Sequence, residues 1–220
     1  MAIRPLNEIE TQVSILNQFF PGIGAASGKI AKNSLPDGAE AWLAIPKWQS
    51  VAPSYNRAIN TLFGLMAKRF GKNFYDWTEG KHREPHLREN YFSAKALKAL
   101  NSQQNDYKIL VIAAQSGMRH INRSVNDVYK IVDDSEFGLG VFEVGCMLLA
   151  NPGLFERTAV DLCVDCPGSE YSPGADTQFM FTPCFYFSGG RVKLDIAYSD
   201  HSHPRHGSAT GFLPDALPKT

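Results

Sequence analysis

No stretch of this 220-residue chain approaches the roughly 20 consecutive apolar residues that a membrane-crossing helix requires. The longest candidate, Phe137 to Ala150, is too short and contains Glu143. Charge of one sign is also missing: 22 Lys and Arg balance 22 Asp and Glu. That balance disfavours non-specific nucleic-acid binding and a polybasic membrane patch, while leaving room for a local basic cluster that binds one anion. The segment MAIRPLNEIETQVSIL is not expected to act as an export signal, because Asn7, Glu8, Glu10, Thr11 and Gln12 interrupt its apolar residues. The reading is a cytoplasmic protein whose four cysteines, Cys146, Cys163, Cys166 and Cys184, serve as thiols or metal ligands rather than as disulfides. No low-complexity linker or internal repeat divides residues 1–220, so one globular domain with its own core is expected.

The apolar spacing predicts an α+β fold, helix-rich through its first two-thirds around a buried central strand, and packed on a C-terminal antiparallel β-meander. Leu6, Ile9, Val13, Leu16 and Phe20 recur at helical intervals between Pro5 and Pro21-Gly22. Tyr55, Ile59, Leu62, Phe63, Met66 and Phe70 form a second stripe, closed by Gly71. A third helix is expected from about His86 to Leu100, and a further pair over Val125 to Val132 and Glu136 to Ala150. Ala41 to Ile45 reads as a short strand, and YKILVIAA (Tyr107 to Ala114) as a strand buried on both faces. Beyond it the period changes to two. Thr158 to Asp165 alternates in polarity, and Gln178 to Phe187 and Arg191 to Ser199 flank Ser188-Gly189-Gly190, a hairpin signal.

Several constellations carry chemistry. Ser116, Gly117, Arg119, His120, Arg123 and Ser124 follow the buried strand at a helix start, where free N–H groups, two guanidinium groups and an imidazole suit a phosphate- or nucleotide-like anion. Glu143 lies in a stretch apolar almost all round, so its carboxylate is expected to be desolvated with a raised pKa, as suits a general acid or base. It would equally serve as a structural counter-ion to Arg119 or Arg123. Asp161, Cys163 and Asp165 share one strand face, with Glu170 near enough in sequence to fold back onto them; two carboxylates and a thiolate can hold a cation or position a nucleophile. Cys163-x-x-Cys166 has the spacing of half a zinc knuckle, but only Cys184 follows. His201, His203 and His206 follow Asp200 closely, a density of imidazoles suited to zinc, although Pro204 interrupts them.

Gly22-x-Gly24-x-x-x-Gly28-Lys29 misses the phosphate-loop spacing, and no G-x-S-x-G elbow or H-E-x-x-H helix occurs. No motif names a cofactor. Three functions stay open. In the first, a small anionic ligand binds at 115–124, with Glu143, Asp161, Asp165 and His120 supplying acid/base or cation-assisted chemistry and no resident metal. In the second, a non-enzymatic interaction or homo-oligomeric module uses Trp42, Trp48, Tyr55, Phe74, Tyr75 and Trp77 as anchors. In the third, a zinc protein uses the C-terminal Cys and His residues.

Overall fold

The computed structural model describes residues 6–81, 85–154, 162–174 and 178–214. In chain order the elements are α1 (Ile9–Phe19), β1 (Ala41–Pro46), α2 (Tyr55–Phe70), β2 (Phe74–Asp76), β3 (Leu87–Glu89), α3 (Tyr91–Gln103), β4 (Ile109–Gln115), α4 (Val125–Ile131), β5 (Glu136–Gly138), α5 (Val141–Ala150), β6 (Cys163–Asp165), β7 (Ser169–Tyr171), β8 (Phe181–Ser188), β9 (Arg191–Tyr198), β10 (His206–Ser208) and β11 (Thr210–Phe212). Helix and sheet are mixed, as the spacing predicts. The finer arrangement differs, because strands occur throughout and form two sheets rather than one terminal meander.

The first sheet has the order β1-β4-β11-β5, antiparallel throughout. All seven residues of β4 are buried, as its continuous β-branched and apolar run requires. Helix α5, buried at every residue, packs against β1, and α1 and α2 pack on α5 in turn. Two glutamines complete strand hydrogen bonding where no strand is available. Gln12 of α1 donates to Trp42 O and accepts from Ala44 N along the free edge of β1. Gln104 accepts from Val111 N and donates to Val111 O beside β4. Each amide stands in for a neighbouring strand, so these buried backbone groups are not orphaned.

Two helices begin later than the apolar spacing predicts. Residues 87–89 pair with β7, and Asn90 then caps α3 by accepting from Phe92 N and Ser93 N. Tyr91 is consequently left exposed, while Ser93, Ala96, Leu97 and Leu100 face inward. Likewise residues 136–138 pair with β11, and α5 starts only after Gly140. In both places strand pairing takes residues that local periodicity would assign to a helix.

The second sheet joins β10, β6, β8, β7 and β3, with β9 paired to β8 and β2 paired to β9. The β8–β9 hairpin turns at Gly189 and Gly190, both at positive φ, the conformation a two-residue turn between twisted strands needs. The β10 strand lies parallel to β6, and one residue later the chain enters β11 in the other sheet. This crossing depends on a close approach between Gly207 and Gly117. A Cβ on Gly207 would overlap the Gly117 carbonyl, and Gly117 itself sits at φ 111°. Since both partners are backbone, Gly207→Ala should destabilise the fold by about 1–3 kcal/mol, the usual range for overpacking. A denaturant melt of the variant against the parent chain checks this.

Candidate metal centre

The register of the second sheet lines up two rows of side chains on one face. One row runs His206, Cys163, Tyr186, Lys193, and the next Ser208, Asp165, Cys184, Asp195. The opposite face carries Gly207, Val164, Phe185 and Leu194 in the same register, and its three side chains are buried in the core. Period-two alternation thus separates a polar face from an apolar one across four adjacent strands.

Cys163, Asp165, Cys184 and His206 meet where the two rows adjoin. One potential ligand atom from each lies within 4.8 Å of all the others. Cys163, Asp165 and Cys184 are buried, and His206 is partly so. Both cysteines are free thiols. His206 Nδ1 is 2.9 Å from Asp165 Oδ1. A hydrogen bond from the Cys184 thiol, with help from His206, holds the Cys163 thiol below its ordinary range despite burial, while the same bond and burial push Cys184 up. Burial raises Asp165 against the pull of His206. Burial opposes the His206 cation, but hydrogen bonds to Asp165 and Cys163 outweigh it and lift the imidazole to about 10. A carboxylate and a thiolate gathered out of water are costly unless positive charge compensates them, and the His206 imidazolium supplies one such charge.

A cavity of about 370 Å³ adjoins the cluster. Cys163, Cys184 and His206 contribute to its lining, together with Tyr186, Asp195, His203 and Arg205 among others. His203 packs edge-on against His206, with ring centroids 5.1 Å apart, and its Nδ1 accepts from Arg205 N.

The residues expected from sequence are distributed over three places. The junction after β4 gathers around carboxylates of the chain itself. Ser116 donates through N and Oγ to Glu40, and Gly117 N donates to the Gln115 side chain. His120 Nε2 lies 2.7 Å from Glu136 Oε1, and Arg119 Nε lies 3.5 Å from Glu136 Oε2. Burial opposes the Glu136 charge, yet hydrogen bonds from His120 and Thr210 and the nearby cations hold its carboxyl below the ordinary range. Ser124 caps α4 by accepting from Asp127 N, and Arg123 is exposed with its charge near Asp127. Glu40 and Glu136 carry no sequence signal, since each acquires its partners only through tertiary contact.

Glu143 lies elsewhere, inside α5, where Oε2 accepts from Gly140 N at 3.0 Å. Burial, reinforced by Glu89, raises its pKa to about 8. Asp161 lies outside the described residues. Glu170 pairs with Arg88 and Asn90 rather than folding onto β6. Cys166 points its thiol toward Val164 O and is not part of the four-residue cluster; Asp165 occupies that role. His201 stays exposed beside Asp200. Among the aromatic anchors, Tyr55 is buried, whereas Tyr75 and Trp77 are exposed and stack edge-to-face.

Comparison with family models, with curated proteins and with solved structures gives no match in any of the three. Among the described residues, no helix is long and apolar enough to cross a membrane.

Glu143 yields a signed pH dependence. Its carboxyl remains protonated in the fold up to about pH 8, whereas the ordinary value in an unfolded chain is 4.5. The folded state therefore holds the extra proton between those limits, and the Glu143 contribution to stability falls as pH rises, with a slope of up to about 1.4 kcal/mol per pH unit. Glu143→Gln, which keeps an acceptor for Gly140 N, should flatten the fall in Tm between pH 5 and pH 8. An unchanged slope would show that Glu143 is not the titrating group.

Proposed function

We propose that this chain is a metal-binding protein, with zinc the best-suited ion, and that Cys163, Asp165, Cys184 and His206 build its centre. The observation that carries the reading is the convergence of two thiols, one imidazole and one carboxylate from three adjacent strands to within 4.8 Å. Sulfur and imidazole donors suit zinc among the common divalent ions, and bonds of about 2.0–2.3 Å in a tetrahedral site bring donors to about 3.3–3.8 Å of one another, a short adjustment from this cluster. An ion would also compensate the clustered thiolate and carboxylate charge. The small anionic ligand expected of the sequence belongs, in this reading, to the cavity with Arg205 and His203, because Ser116 Oγ, Arg119 Nε and His120 Nε2 already face the carboxylates of Glu40 and Glu136.

One specific contact supports a second reading. His206 bonds both Asp165 and Cys163, the arrangement of a base oriented toward a nucleophilic thiol. Cys184 has no necessary part in that chemistry, whereas the metal reading requires it.

Untagged protein purified without chelator should contain one zinc per chain by elemental analysis. Cys184→Ser and His206→Ala should each lose most of it, and removal of zinc should lower Tm, as loss of any ligand selective for the folded state does. A metal-free protein whose Cys163 is alkylated at the same rate with and without added zinc, and independently of Cys184→Ser, would support the thiol reading instead.

A further inference from the structure

We infer that the ion is held directly by only three of the four residues, Cys163, Cys184 and His206, that Asp165 is a positioning residue behind His206, and that the fourth position faces the cavity, where it takes the anionic group of a small molecule. The inference rests on the metal reading above and deepens it.

Two independent observations separate Asp165 from the other three. Among the described residues, those lining the cavity include Cys163, Cys184 and His206 but not Asp165. Asp165 is also already engaged, since its Oδ1 lies 2.9 Å from His206 Nδ1. A ring nitrogen that donates to a carboxylate is not free to bind an ion, so Nε2 is the nitrogen left for the metal. A carboxylate on the far nitrogen of a ligating histidine is the usual way of fixing its ring and raising its basicity. Direct ligation by Asp165 would break that bond and turn the carboxylate away from its partner. The backbone also holds Asp165 in place, because its carbonyl accepts from Ala209 N as the chain crosses between sheets.

Three protein ligands and an open position distinguish zinc sites that meet ligands from closed structural ones. The cavity beside the open position is large enough for a small molecule rather than water alone. Its walls indicate the ligand class. Arg205 supplies a guanidinium, and His203, whose Nδ1 accepts from Arg205 N, has its Nε2 free to donate. Two thiolates neutralise a divalent ion, so the added cation at Arg205 favours a ligand bearing a carboxylate or similar anion. Asp195, across from Cys184 on β9 and also lining the cavity, disfavours large or multiply charged anions.

The full-length chain loaded with cobalt(II) in place of zinc tests this spectroscopically. A thiolate-to-cobalt band with four-coordinate d–d absorption is expected, and titration with azide or acetate should shift the d–d bands saturably. Arg205→Ala should retain one cobalt per chain and bind acetate at least about tenfold more weakly, the loss expected for one charge-assisted hydrogen bond. Its backbone N and O, which bond His203 and Cys163, are untouched by the change. Asp165→Asn should keep the thiolate band and the anion response while weakening metal affinity by about 10–100-fold. Bands indifferent to azide and acetate in the parent chain overturn the inference even if Asp165→Asn does not fold. A cobalt spectrum in which Asp165→Asn removes a ligand overturns it as well. Failure of the parent chain to bind cobalt or zinc at all defeats the metal reading itself.

Discussion

The segment from His206 to Phe212 is the constraint on which both sheets depend. In seven residues it pairs with β6, crosses through Ala209, and inserts between β4 and β5. Side chains secure the crossing from both directions. Gln115 donates to Ser208 O and Thr210 Oγ1, and Thr210 in turn donates to Glu136. Because these groups are buried, losing one partner leaves another unsatisfied, and the junction behaves as a unit rather than as separable bonds.

That stitching explains why the polar clusters lie close together yet do different work. At the junction after β4, Arg119 and His120 surround Glu136, the carboxylate that also accepts from Thr210 of the crossing segment. On the other side of Gly207, His206 meets Cys163 and Asp165. The first cluster is internally neutralised and closes the fold. The second gathers more acidic groups than cationic ones, and it borders a cavity. Internal charge pairing, rather than full hydrogen-bond satisfaction, is what separates the two, because His120 Nδ1 in the first cluster is buried without a hydrogen-bond partner.

Local signals in the sequence account for most element types and for the polar face of β6. Alternation marks Cys163 and Asp165 as neighbours on one face, the Gly189-Gly190 turn predicts the β8–β9 hairpin, and the apolar run around Glu143 correctly indicates its desolvation. The four-residue cluster itself is only partly legible. Its members divide among a carboxylate-rich strand, a Cys-x-x-Cys pair and a histidine cluster, and only pairing register unites them. Cys166 illustrates the limit: spacing associates it with Cys163, but the strand ends at Asp165 and the Cys166 thiol is directed elsewhere. Parallel pairing of β10 with β6 has no hairpin signal, so the arrival of His206 opposite Cys163 is invisible to local pattern. Asn90 and Gly140, by contrast, are local helix boundaries, and the residues before them pair as β3 and β5.

The interior position of β11 has a consequence during synthesis. Until residue 212 has left the ribosome, the first sheet lacks its third strand, and β4 presents an apolar edge at Ala113 to Gln115 with no partner. Exposed strand edges of this kind are where nascent chains associate wrongly or engage chaperones. The same late segment delivers His206, so assembly of the Cys163, Asp165, Cys184 and His206 cluster and closure of the sheet become one event in the life of each new chain.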